Sequence, residues 1–152
     1  MFELIQSVSI DPNSGLAEGK AIVPADHPLF ADHFPGAPLL PGSLLIELAA
    51  QIAGPLAEQV LKLRLNVERW ALLGIIRSAK FLRPVPLPAT IVLTAEISRL
   101  ELSNIALQVR ARAPEELVMS AELVMMMVEG APEWETAIGA RHERLASWKG
   151  AA

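Results

Sequence analysis

Apolar and polar positions alternate in short runs at both ends of the chain, and one long apolar stretch separates them. Residues 2–10 alternate moderately and end at Asp11-Pro-Asn-Ser-Gly15, a strong turn signal. Alternation resumes over 16–23, which predicts a hairpin with a loop of about five residues. The next segment, 24–41, holds five prolines and one glycine. It predicts irregular chain with one short turn of helix near Pro28. From Ser43 to Leu63 the sequence reads as a helix, with Ser43 as its cap and Glu58 and Lys62 as a favourable pair one turn apart. Pro55 falls inside this span and predicts a kink or a split near residues 51–54. Four runs rich in Val, Ile and Leu follow, at 70–82, 90–101, 104–113 and 117–128. Turn signals separate them at Pro84–Pro88, near Ser103 and at Pro114–Glu116. Residues 132–148 predict a short amphipathic tail helix.

One long, nearly uncharged helix needs apolar cover on most of its surface. Strands lying before and after it in sequence supply that cover by curling around it. The expected class is therefore α+β, an antiparallel sheet around one helix, and not a parallel βαβ stack.

Composition narrows the picture. A chain of 152 residues fits one domain. Its 52% hydrophobic content and mean hydropathy of +0.37 are high for a soluble monomer and predict a buried subunit interface. A net charge of −4 and a pI near 5.4 argue against wholesale nucleic-acid binding. Cysteine is absent, which excludes disulfides, thiolate catalysis and Cys-ligated metals. No basic segment followed by an apolar run opens the chain, so no signal peptide is expected. The tract Leu44–Leu56 is interrupted by Glu47, Gln51, Gly54 and Pro55 and reads as too short for a membrane span. These features together suggest a cytoplasmic protein.

The candidate chemistry lies where the Pro/Gly-rich segment runs into the helix. His33 stands on the loop, and Glu47 follows fourteen positions later among Leu44, Leu45, Ile46, Leu48, Ala49 and Ala50. A carboxylate buried among such neighbours is costly while charged, and desolvation would raise its pKa. A neutral acid donates a proton and an imidazole accepts one, so the pair suggests general acid/base catalysis with the roles split by environment. The competing reading for Glu47 is a structural ion pair with Arg69, Arg77 or Arg83. Gln51, one turn on, faces the same side and is a candidate supporting residue. His27 and Gly36 read better as loop-shaping residues, and His142 as solvated. Met125–Met127 suit either core packing or the lining of an acyl tunnel.

The stretches His27-Pro-Leu-Phe-Ala-Asp-His-Phe-Pro-Gly36, Pro38-Leu-Leu-Pro-Gly42 and Ile46-Glu-Leu-Ala-Ala-Gln51 resemble the hot-dog-fold 3-hydroxyacyl-(acyl-carrier-protein) dehydratases of the FabZ type. Leu73-Gly-Ile-Ile-Arg-Ser-Ala-Lys-Phe-Leu-Arg-Pro-Val85 is similar to that family's strand and turn, and Ala121–Met127 to its closing strand. The likeness spans residues 1–129, leaving 130–152 as a tail. It implies a hot-dog fold, six antiparallel strands wrapped around one central helix. It further implies His33 as catalytic histidine, Glu47 as catalytic acid and Gly42 as the residue whose backbone N–H holds the thioester carbonyl. No metal or organic cofactor is implied. The implied partners are an acyl carrier protein bearing a phosphopantetheine-linked acyl chain and a second copy of the chain, as a homodimer or a trimer of dimers. In that arrangement His33 of one subunit faces Glu47 of the other. Basic residues of the middle section, Arg64, Arg69, Arg77, Lys80 and Arg83, are candidates for receiving an acidic carrier.

The chain departs from the pattern at Asp32, at the turn Pro86–Thr90, in lacking tyrosine and in its tail. These differences bear on substrate choice, for example a lipid or polyene pathway outside housekeeping fatty-acid synthesis. Two other functions share the scaffold: a hot-dog acyl thioesterase, which needs a carboxylate that activates water, and a non-catalytic acyl-binding subunit.

Overall fold

The structure, a computed structural model, describes residues 4–150. The Asp11–Gly15 turn closes the first hairpin, β1 (Ile5–Asp11) and β2 (Leu16–Val23). The Asp11 carboxylate accepts from the Ser14 hydroxyl at 2.6 Å and from the Asn13 N–H at 3.0 Å. These bonds, Ser14's first, hold its pKa below the ordinary carboxylate value. The expected start of the first strand at residue 2 lies partly outside the described residues.

A 3₁₀ turn at Pro28–Phe30 precedes the helix α1 (Gly42–Leu65). Then come β3 (Trp70–Phe81), β4 (Ala89–Leu100), β5 (Asn104–Arg112) and β6 (Leu117–Val128), and the tail helix α2 (Glu135–Gly150). All pairings are antiparallel, in the order β1-β2-β4-β5-β6-β3. The sheet curls around α1, whose Leu48, Ile52, Leu56, Val60 and Leu61 are fully buried against strand residues such as Ile91, Leu93, Leu107 and Leu123.

Three local expectations fail. Pro55 does not break α1, which runs unbroken for 24 residues. The lost hydrogen bond and ring clash cost about 3 kcal/mol or more. Each buried aliphatic side chain flanking it returns about 1.5–3 kcal/mol, so burial holds the helix together. Ser43 is not the cap: the helix starts one residue earlier, with Pro41 in the cap position and no side-chain cap bond. Glu58 does not pair with Lys62. It turns inward to accept from the Ala71 N–H at 2.8 Å and from Arg141 of α2 at 2.5 Å, while Lys62 pairs with Glu68.

In length and composition α1 alone would suffice to cross a membrane, contrary to the reading of the shorter tract, but 72% of its most apolar window is buried inside the fold. Strand β3 is the unusual element. It pairs with β6 on one edge and, among the described residues, has no partner on the other, and its Leu72, Leu73, Ile75 and Ile76 are 38–50% exposed.

Candidate active site

The loop before α1 is pinned by backbone bonds. His33 N–H donates to the Phe30 carbonyl at 3.0 Å, and Leu39 N–H donates to the His33 carbonyl at 2.8 Å. His27 shapes this loop as expected: its Nδ1 accepts from the Leu29 N–H at 3.2 Å. Gly36 takes a positive φ of 74° at the loop's turn.

The half-buried His33 ring stacks on Phe34, and its Nδ1 lies 3.2 Å from the Leu39 carbonyl oxygen. A carbonyl only accepts, so the bond assigns the proton to Nδ1 and leaves Nε2 with a free lone pair. In a neutral ring the backbone thus selects the tautomer whose Nε2 can accept a proton.

Glu47 shares one stripe of α1 with Gln51 and Pro55, spaced four residues apart, and exposure falls along it from exposed Glu47 through partly buried Gln51 to buried Pro55. Its apolar sequence neighbours point inward and are mostly buried, but Glu47 itself is exposed. The desolvation expected from those neighbours is therefore absent within one chain. Gln51 Nε2 donates to Glu47 Oε1 at 3.0 Å, which orients the carboxylate. None of the three candidate arginines reaches Glu47. Arg69 pairs with Glu129 at 3.1 Å, Arg77 with Glu122 at 3.3 Å and Arg83 with Glu116 at 3.7 Å.

Gly42 is the first residue of α1. A Cβ there would come within 2.8 Å of the Phe81 ring, so only glycine lets the helix start this close to the end of β3. The helix start has no side-chain cap; the Leu44 N–H donates to the Pro41 carbonyl at 3.0 Å, and the first turn carries the positive end of the helix dipole.

Two hollows meet at His33. An open cleft of about 460 Å3 brings His33 and Glu47 together with Leu29, Asp32, Ser43 and Leu44. A second, of about 250 Å3, brings His33 to Gly42, with Phe81, Leu82 and Arg83 at the unpaired edge of β3. Glu47 and Gly42 line different hollows, so neither of these two hollows holds all three candidate groups. Among the described residues no cluster of three or more His, Asp and Glu converges to hold a metal. The tail helix forms as predicted, but sequence reasoning missed its place at the site: Arg141, Leu145 and Trp148 form a wall beside Glu47 and Gln51. No local signal marks them, because their placement depends on how α2 docks.

A loop base, a helix-borne carboxylate and an uncapped helix start are what a protein needs to move protons next to a carbonyl. The family model described as ApeI dehydratase matches residues 9–121, which include the loop, α1 and the sheet up to mid-β6. The chain belongs to the ApeI-like dehydratase family. The FabZ 3-hydroxyacyl-(acyl-carrier-protein) dehydratase of Chlamydia trachomatis is 33% identical over 129 residues, 84% of each chain. Among solved structures, the dehydratase heterocomplex ApeI:P of Xenorhabdus doucetiae aligns with a TM-score of 0.59 at 17% identity, covering 83% of this chain and 99% of that one. The thioesterase HI1161 of Haemophilus influenzae aligns with a TM-score of 0.57 at 18% identity, covering 75% and 72%. The two structures bear on the fold alone: this member of the ApeI-like dehydratase family has the hot-dog architecture.

Proposed function

We propose that the protein is a hydro-lyase that converts 3-hydroxyacyl thioesters on acyl carrier protein into trans-2-enoyl thioesters, in fatty-acid or related lipid or polyene biosynthesis. The observation that carries this reading is His33, held as a base by the Leu39 carbonyl on the wall between the hollow with Glu47 and the hollow with Gly42. His33 Nε2 takes the α proton. The electron pair moves toward the thioester oxygen, where the Gly42 N–H and the helix dipole stabilise the developing negative charge. Glu47 protonates the β-hydroxyl, the C–O bond breaks and water leaves as the Cα–Cβ double bond forms. His33 ends protonated and Glu47 ionised, and exchange with solvent resets both.

Because Gly42 and Glu47 line different hollows, the reading includes a second subunit. The exposed apolar β3 edge lies beside the His33/Gly42 hollow. Pairing it with the same edge of another copy satisfies its free backbone groups and covers its apolar residues. It also brings a second Glu47 toward His33 and supplies the desolvation that one chain lacks. A homodimer, or a trimer of dimers, follows. Arg83 at the mouth suits an acidic carrier, and the cytoplasm is the compartment where such carriers work.

The shared architecture with HI1161 favours a second reading, thioester hydrolysis, in which Glu47 activates water. One assay separates the two. Supplied with 3-hydroxyacyl thioesters, the protein should form the conjugated enoyl thioester without releasing free thiol. Glu47→Gln should remain folded and lose about 10²-fold or more in turnover. Release of thiol with no enoyl product would favour the hydrolase.

A further inference from the structure

Three hollows succeed one another along the side of α1 that carries Glu47, Gln51 and Pro55. The first is the cleft with His33 and Glu47. The second, about 230 Å3, has Glu47, Gln51 and Pro55 on the α1 side and Arg141, Leu145 and Trp148 on the α2 side. The third, about 300 Å3, is bordered by Glu58, Lys62, Trp70, His142 and Leu145. Glu47 is common to the first and second, and Leu145 to the second and third. The Arg141–Glu58 ion pair stands between the last two: Arg141 lines one and Glu58 the other.

Helix α2 is firmly seated over this groove. Trp148 is buried in the core cluster, and the His142 and Trp70 rings lie 5.3 Å apart. The Arg141 guanidinium rests on Gly54, where a Cβ would come within 2.9 Å of Nη2. Glu58 is anchored from the other side by the Ala71 N–H, and its side chain is only 14% exposed. A charge pair fixed to three elements is a wall rather than a loose surface contact.

We propose that α2 roofs the acyl-binding groove and that the Arg141–Glu58 pair, with Leu145, forms its end wall and limits the length of acyl chain accepted. The identity of the occupant rests on the dehydratase reading. If the thioester carbonyl sits at the start of α1 and the β carbon at Glu47, the rest of the acyl chain continues past Gln51 toward Pro55. From Glu47 to Glu58 the helix rises about 16 Å, which bounds the room before the wall. Short and medium acyl chains fit that space, and long ones meet the ion pair. The family match ends at residue 121, before α2 begins.

The test uses the full-length protein and a series of 3-hydroxyacyl thioesters from butanoyl through octanoyl to hexadecanoyl. Arg141→Ala joins the second and third hollows, and Leu145→Ala widens the passage between them while leaving the ion pair in place. Each newly covered methylene is worth about fourfold in binding, so two of them should raise the long-to-short ratio of kcat/KM by about tenfold or more. Calorimetric binding of the corresponding saturated acyl-pantetheine thioesters, which lack the leaving hydroxyl, should show the same shift without turnover. If the wild type binds these thioesters with a length limit but does not dehydrate, the catalytic reading falls and the wall stands. If the wild type dehydrates and a folded variant leaves the length profile unchanged in both turnover and binding, the wall is refuted. Should Arg141→Ala fail to fold, Leu145→Ala decides alone.

Discussion

Strands β3 and β5 flank the same neighbour, β6, and are built from similar residues, yet they live in different surroundings. In β5, Ile105, Leu107 and Val109 are fully buried under α1 and the sheet's curl. In β3, no residue from Leu72 to Phe81 is buried. An apolar run without alternation normally marks a strand covered on both faces. Here the run is present and the chain does not supply the cover. The difference is the ground for the proposed second subunit: β3 is an exposed apolar edge strand, and the His33/Gly42 hollow lies at its Phe81 end.

The sharpest way to break the comparison is to charge the open strand. Ile75→Arg should leave the circular dichroism spectrum of the fold intact, convert the protein to a monomer in sedimentation and lower dehydration by about 10²-fold, the scale of a lost acid/base group. A variant that stays associated and active would show that β3 is not the interface. The matching change on the covered strand should act on stability instead. Leu107→Ala should cost about 2–5 kcal/mol in denaturant unfolding, whatever the protein concentration. A smaller effect sits where α1 hands over to β3. Lys62 bonds to Glu68 and holds its carboxyl below the ordinary value of 4.5. A depressed carboxyl favours the fold above that value and loses its contribution as pH falls through the lowered one. Both groups are exposed, so Lys62→Gln should raise the Glu68 midpoint toward 4.5 in an NMR titration while hardly moving the melting temperature.

The same contrast explains what the sequence could show. Strand limits were legible because alternation is local: Leu16–Val23 alternates strictly between exposed and buried residues. The antiparallel sheet around one helix followed from the grouping of the elements, and the hot-dog fold from the motif resemblance. The position of Glu47 was legible only in part. Its apolar neighbours suggest burial, but helical spacing turns Glu47 away from the face that carries Leu44, Leu45 and Leu48, and it is exposed. Pro55, Ser43 and Glu58 were misread because local rules were overridden by packing: burial holds the helix through Pro55, the helix starts a residue early where Phe81 packs against Gly42, and Arg141, eighty-three residues away in sequence, takes Glu58 from Lys62. The role of α2 was not legible at all, since its wall exists only once distant residues meet.

In the proposed enzyme the site is completed across the β3 edge, with His33 of one copy serving the Glu47 of another. Mixing His33→Ala subunits with Glu47→Gln subunits, after verified exchange, tests it most directly. Each heterodimer then holds one intact and one doubly damaged site, and it should regain about half the wild-type turnover. If the cleft that His33 and Glu47 share within one chain is the working site, every site stays broken, and mixtures as inactive as the parent variants would contradict the claim.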